Sequence, residues 1–249
     1  MRIITIASQK GGVGKTTTAA TLAHGLALKG KETLLVDLDP QGQCASILGR
    51  AHEPGVFNLL VGDLELKDVV RTTGRSQLSL LPGDKRTATA QLVLAAEGRM
   101  TLPLLAEALQ PLARVVDYVV VDTAPTVGGL QEAALYAADL ALIPTACDYL
   151  SAEGVGGTIT TLDAIRKRGG RAQLLGVLPT FYDDQTRESQ ATLANLRDSL
   201  GADAVLPPVH RATVLREAAA EGHTIFEHSS KTRAAEEYAA LVWRIIDHA

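Results

Sequence analysis

Apolar residues recur along this chain as six short continuous runs: Ile3–Ala7, Thr33–Val36, Leu78–Leu81, Tyr118–Val121, Leu140–Ile143 and Leu174–Leu178. They are rich in Ile, Val and Leu and bounded by polar or turn residues, the pattern of strands buried on both faces. Between them apolar positions repeat at helical spacing over Lys15–Lys29, Thr87–Ala96, Leu102–Leu112, Gly128–Ala138, Ala152–Arg168 and Glu188–Leu200. Two more such stretches lie near Ala212–Glu221 and over Arg233–His248. Alternation of strand and helix predicts an α/β fold, a mostly parallel twisted sheet with helices on both faces. No repeat, low-complexity tract or linker breaks the pattern, so residues 1–249 are expected to form a single domain. Ligands of such sheets bind beyond the carboxyl ends of the strands, where every motif described below falls.

Composition narrows the class. Hydrophobic residues are 46% and charged residues 21%, ordinary for a globular protein. The apolar stretches are far shorter than a bilayer span, and Met1–Ile6 leads into a glycine motif rather than a signal peptide's apolar core. A cytoplasmic protein without a membrane partner is therefore expected. Two cysteines, Cys44 and Cys147, are too few for a disulfide framework or a four-thiolate zinc site. A net charge of −4 argues against a wholly basic surface for nucleic acid. It leaves room for a local basic face, or for one completed in a dimer.

The segment Ser8-Gln9-Lys10-Gly11-Gly12-Val13-Gly14-Lys15-Thr16-Thr17-Thr18 follows the first predicted strand and opens the first predicted helix. That is the setting of a phosphate-binding loop. Glycines let backbone N–H groups turn toward phosphate oxygens, and the helix N-terminus adds further donors. In such a loop Lys15 reaches the β- and γ-phosphates, the Thr16 hydroxyl ligates Mg2+ and Thr17 reaches the α-phosphate. The common spacing G-x-x-x-x-G-K-[ST] is not met, because its first glycine falls on Gln9. An added lysine, Lys10, precedes a Gly11-Gly12 pair instead. Further on, the strand Leu34–Val36 runs into Asp37-Leu38-Asp39-Pro40. Alternation places Asp37 and Asp39 on one side, where two like charges call for a cation such as hydrated Mg2+. The strand Tyr118–Val121 ends in Asp122, and Thr126-Val127-Gly128-Gly129 follows as a glycine-pivoted loop.

Lys10 to Thr17 resembles the deviant Walker A motif of the ParA/MinD group of P-loop NTPases, a SIMIBI-like class. The likeness extends from Ile3 to about Tyr238. It implies ATP and Mg2+ as ligands, with Lys10, Gly11, Gly12, Val13, Gly14, Lys15, Thr16 and Thr17 around the phosphates and Pro207 in a loop beside the adenine. It implies catalytic roles for Lys10, Lys15 and Asp39. Lys10 would cross a dimer interface to the partner's nucleotide, in the manner of an arginine finger, and Asp39 would position the attacking water. Thr16, Asp39 and Asp122 are the implied metal residues, with Asp37 nearby. Glu153 falls either at the dimer face or as helix N-terminal charge.

The same resemblance implies a cycle. ATP drives a sandwich homodimer, the dimer binds non-specific double-stranded DNA on the nucleoid, and a ParB-like centromere-binding protein stimulates hydrolysis. Arg187, Arg211 and Arg216 are the candidate DNA residues, with Lys231 and Arg233 nearby. Gln185 and Val214 stand where many relatives carry arginine. The run Arg166–Arg171 reads instead as cationic capping of a helix end. A phosphate loop so near residue 1 leaves no room for an N-terminal helix-turn-helix, as in short chromosome-type relatives. Glu236–His248 is poor in basic residues, unlike the membrane helix of MinD-like relatives, and reads as a helix packed on the core, with Trp243 buried there. Other readings are a positioning ATPase for another cargo, a MinD-like division-site regulator, a P-loop synthetase or reductase, and a non-hydrolysing DNA scaffold. A reductase needs cluster thiolates, and Cys44 and Cys147 lie at the wrong motif positions. Lys10, Lys15, Asp39 and Asp122 argue against the scaffold.

Overall fold

The computed structural model describes residues 1–62, 64–126 and 128–247, with residues 149–153 described in their backbone alone. The described strands are β1 (Arg2–Ile6), β2 (Thr33–Asp37), β3 (Arg71–Thr72), β4 (Leu78–Leu81), β5 (Tyr118–Asp122), β6 (Leu140–Ala146) and β7 (Gln173–Thr180). They form one sheet in the order β3-β4-β2-β5-β1-β6-β7. The six apolar runs supply the parallel strands. The edge strand β3 pairs antiparallel, with Arg71 opposite Leu80 and Thr72 opposite Ser79. Two polar residues carry no periodic signal, so β3 is absent from the sequence reading.

β6 runs past the expected stop at Pro144 for a local reason. It pairs with β1 only through Leu140, Ala141 and Leu142, and from Ile143 onward it pairs with β7 alone. A missing N–H at Pro144 therefore breaks no bond on the β1 side.

The helices are α1 (Lys15–Leu28), α2 (Gln43–Ile47), α3 (Val56–Leu60), α4 (Leu66–Val69), α5 (Arg86–Ala96), α6 (Leu104–Leu109), α7 (Gly129–Ala137), α8 (Tyr149–Lys167), α9 (Arg187–Leu200), α10 (Val214–Ala220), α11 (Ile225–His228) and α12 (Arg233–Asp247). The longer ones lie where helical spacing predicts them. α2, α3, α4 and α11 span too few turns to register a period.

Strand residues alternate between two cores. Ile4, Ile6, Leu35, Leu80, Val120 and Leu142 face α1 and α12. Ile3, Leu34, Val36, Leu81, Val119 and Val121 face α6 and α7. Gly25 lets α1 and α12 meet: a Cβ there would lie 2.4 Å from Val242 Cγ2. The expected burial of Trp243 is corrected. The helix packs through Tyr238, Leu241, Val242 and Ile245, whereas the indole is 48% exposed, under Lys29 Nζ at 4.4 Å. The last carbonyls of α8 accept backbone N–H groups, Gly170 N to Ile165 O and Gly169 N to Arg166 O, whereas Arg166 Nε donates beyond the helix, to Ala172 O at 2.7 Å. Arg168 pairs with Glu132, and Arg171 with Asp139.

Register fixes the site. Ile6 of β1 and Asp37 of β2 both stand opposite Asp122 of β5. The loops leaving these three central strands therefore open at one level on the carboxyl edge of the sheet.

Candidate active site

The loop after β1 curls around the start of α1. Gly12 and Gly14 adopt φ of +74° and +80°, a left-handed conformation that glycine reaches without strain. Nothing lies within 4 Å of a Cβ built on Gly11 or Gly12, so the loop borders open space. That space is a cavity of about 580 Å3 lined by Gly11, Gly12, Gly14, Lys15, Thr16 and Thr17 on one side. Asp39, Pro40, Gln41 and Gln43 line another, and Ala124, Pro125, Thr126 and Phe181 complete it.

Lys15 is 6% exposed, and its Nζ donates to the Lys10 carbonyl at 2.9 Å. Burial lowers its pKa, while Asp122 and Asp39 act the other way and favour the charged form. Val13 is buried and its carbonyl accepts from Thr180 Oγ1, which ties the loop to β7.

Of the two aspartates expected to face one cation, Asp37 ends β2 and Asp39 lies in the turn beyond it. β2 ends at Asp37, and Asp37 is fully buried. Its carboxylate accepts the N–H groups of Asp39 at 3.0 Å and Cys44 at 3.0 Å, so it braces the turn rather than facing the cavity. Asp39 alone borders the cavity, with Oδ1 accepting from Gln41 N at 2.9 Å. The strand alternation on which the expectation rests stops at Asp37, two residues before Asp39.

Asp122 lies behind the cavity, fully buried. Its Oδ2 accepts from Cys44 Sγ at 3.6 Å, and its Oδ1 has no hydrogen-bond partner among the described residues. Burial pushes its pKa up to about 7, against the pull of the Thr16 hydroxyl and Lys15 and with the push of Asp39. An orphaned buried carboxylate oxygen close to a hydroxyl and an open cradle is a donor set that fits hydrated Mg2+. Thr16 and Asp122 are the residues that would hold it, with Asp39 across the cavity.

Not every expected residue joins this site. The Lys10 side chain does not line the cavity, and its Cβ lies against Gly154 of α8. Pro207, expected beside the adenine, is exposed and lines neither this cavity nor its neighbour. Residues 205–210 run beside β7, with Leu206 N bonded to Val177 O and Val209 N to Pro179 O. Leu206 and Val209 thereby turn inward and Pro207 outward.

A second cavity of about 320 Å3 shares Gly14, Thr17 and Phe181 with the first, and Thr180, Val209, Leu215 and Tyr238 also line it. Arg211 and Arg216, expected to serve DNA, stand on its walls. Arg187 is exposed at the start of α9. Lys231 is exposed, whereas Arg233 is tied to Asp184 and Glu237. The side chain of Glu153, and Val127 in the glycine-pivoted loop, lie outside the described residues.

Sequence reasoning misses the role of Cys44. In the sequence Cys44 is only a lone thiol, yet in the fold it bonds both Asp37 and Asp122. Its burial pushes the thiol pKa well up, so it acts as a neutral donor.

Comparison with known proteins adds to this geometry. A family model described as an AAA domain, AAA_31, matches residues 1–174. The chain is 38% identical over 247 residues to the chromosome-partitioning ATPase Soj of Thermus thermophilus, covering 99% of this chain and 96% of that protein. A solved aspartate-to-alanine variant of McdA from Cyanothece, in complex with ATP, superimposes with a TM-score of 0.90 at 25% identity, over 99% of this chain and 96% of that one. Cobyrinic acid a,c-diamide synthase from Mycobacterium smegmatis, with bound ADP and magnesium, gives 0.86 at 31% identity, over 100% and 95%.

Proposed function

This chain belongs to the ParA-type family of P-loop ATPases, and from that premise we propose that it is a DNA-segregation switch acting as an ATP-loaded homodimer. It is an ATPase of the positioning kind, with ATP and Mg2+ as its ligands. Bound Mg2+ offsets charge on the phosphate oxygens.

The chain's own residues do the rest. Lys15 exchanges the Lys10 carbonyl for the β- and γ-phosphate oxygens, a charged acceptor in place of a neutral one. Gly11, Gly12, Val13 and Gly14 wrap the phosphates, and Thr17 takes the α-phosphate. Thr16 and Asp122 would hold the metal, with Asp37 and Cys44 fixing the turn and the carboxylate behind it. Asp39 orients the attacking water, a task that needs placement more than basicity. Phe181, Val209 and the start of α10 form the slot for the base.

One observation carries the dimer. Lys10 belongs to the phosphate loop, yet its side chain is absent from the walls of its own cavity. A lysine so placed suits charge neutralisation at a partner's phosphoryl group, and makes hydrolysis wait for dimerisation. Arg187, Arg211 and Arg216 are exposed cations for the DNA backbone. A ParB-like centromere-binding protein is the proposed stimulator. Among the described residues no helix is long and apolar enough to cross a membrane. A synthase reading would need an acceptor pocket, and on this reading phosphate, metal and base would occupy the two cavities beside the phosphate loop.

Gel shifts with non-specific DNA under ATP, ADP and no nucleotide, run beside sedimentation of the same samples, test the reading. Dimers and DNA complexes should form with ATP alone. Equal DNA binding in ADP, or full-rate hydrolysis by a persistent monomer, would reject it.

A further inference from the structure

Away from the nucleotide, the loop between α10 and α11 gathers three side chains able to ligate a metal. Glu221 follows the last residue of α10, Gly222 turns the chain at φ +73°, and His228 closes α11. Both imidazoles aim Nδ1 at one carboxylate oxygen. His228 Nδ1 is 3.0 Å and His223 Nδ1 3.8 Å from Glu221 Oε2, and one ligand atom from each residue lies within 4.8 Å of the others. Donors bonded to tetrahedral zinc at about 2.0–2.2 Å stand roughly 3.3 Å apart. Small side-chain rotations therefore bring all three onto one ion.

The donor chemistry selects the class of ion. Two imidazole nitrogens and a carboxylate suit zinc, nickel or copper, whereas Mg2+ prefers an all-oxygen shell. Exposure is graded, with side chains 60% exposed at Glu221, 48% at His223 and 19% at His228. An ion can thus enter from solvent and complete its shell with water.

The frame beneath is held firmly. Arg75 donates to Gly222 O at 2.8 Å and to Leu48 O at 2.9 Å, and pairs with Glu227 at 2.8 Å. Glu227 matches the guanidinium charge, which reduces its opposition to a nearby cation. A Cβ at Gly222 would lie 3.0 Å from Gly49 Cα, so the loop rests on the segment just after α2.

We propose that Glu221, His223 and His228 form a binding site for one divalent transition-metal ion of the zinc class, separate from the Mg2+ position at the phosphate loop. Because the ion binds the folded loop, it raises the stability of the native chain.

Calorimetric titration of the tag-free chain with zinc chloride, under saturating Mg2+ and without nucleotide, reads the site directly. One zinc per chain is expected, together with a higher melting temperature. His223→Ala combined with His228→Ala should weaken zinc binding by at least about tenfold, the lower end of what even outer-shell changes cost at metal sites. Glu221→Gln should weaken it in the same direction. Circular dichroism and Mg2+-dependent ATP turnover should match the unaltered chain, showing that the variants fold. Absence of zinc heat in the unaltered chain, or unchanged zinc affinity in the folded double variant, would overturn the proposal.

Discussion

Asp39 and Lys15 line one cavity, and the proposed mechanism gives Lys15 binding and Asp39 chemistry. Asp39→Ala removes the carboxylate proposed to orient water while the phosphate cradle stays whole. Hydrolysis should fall by about 100-fold or more, in the range of positioned acid–base groups, with nucleotide affinity close to unaltered. Lys15→Ala removes charged hydrogen bonds worth about 1.5–3 kcal/mol, so nucleotide binding itself should weaken by roughly 10- to 100-fold. Equilibrium binding of a fluorescent ATP analogue beside single-turnover hydrolysis separates the two. An Asp39→Ala protein that hydrolyses at the unaltered rate would remove the carboxylate from the mechanism. The phosphate-loop residues were readable in the sequence because the whole motif is contiguous and its chemistry is set by spacing. The separation of Asp37 from Asp39 was not readable, because Asp37 still lies in β2 whereas the direction of Asp39 depends on how the chain turns after the strand ends. Cys44 was unreadable because its partner Asp122 lies 78 residues away and meets it only through the pairing of β2 with β5.

Among the elements, α11 and the end of α10 are joined to α1 by a polar network that no motif announces. Buried His24 of α1 bonds Thr224 Oγ1 at 2.6 Å, and Glu227 of α11 accepts Thr224 N–H and pairs with Arg75. Burial lowers the His24 pKa below its usual 6.5, with Arg75 adding to the effect and Glu227 opposing it. At Glu227 burial alone would raise the pKa, but Arg75, the Thr224 N–H and His24 outweigh it and hold the carboxyl below its usual 4.5. Both groups favour their deprotonated forms in the fold. The stability they contribute is therefore full above pH 6.5 and is lost on acidification, first through His24 and then, below 4.5, through Glu227. Melting temperature measured across pH 4–7 should fall on the acid side, and His24→Asn should flatten the upper part of that fall. An unchanged slope in the variant would show that other groups govern it. The same network explains why the long elements were legible and these were not. Helices such as α8 and α9 declare a period, whereas four-residue α11 is held by a capping box and by an arginine 152 residues distant in sequence.

For the molecule as a whole, the proposed cycle requires nucleotide state to reach the surface proposed to meet DNA. Arg211 and Arg216 stand on the wall of the slot that adjoins the phosphate loop, and they are also exposed. The side chains proposed to meet the DNA backbone are thus on the loop and helix that would close on the base, a direct physical route from ligand to surface. It also means that a charge reversal there can act in two ways. Arg211→Glu and Arg216→Glu must be scored for ATP affinity, for dimer formation and for DNA binding on the same preparation. If the arginines serve phosphate contacts, each change should weaken DNA binding for every sequence alike and reduce the salt dependence by about one unit of slope. ATP affinity and the ATP-dependent dimer should survive. If they serve the base slot instead, ATP affinity should fall first and DNA binding only in proportion to the lost dimer, with the salt slope of the remaining complex unaltered. Arg187→Glu is the control, since Arg187 lies at the start of α9 and borders neither cavity. Loss of DNA affinity there with normal ATP binding would put the basic face on α9, and no loss in any of the three variants would show that DNA is held elsewhere.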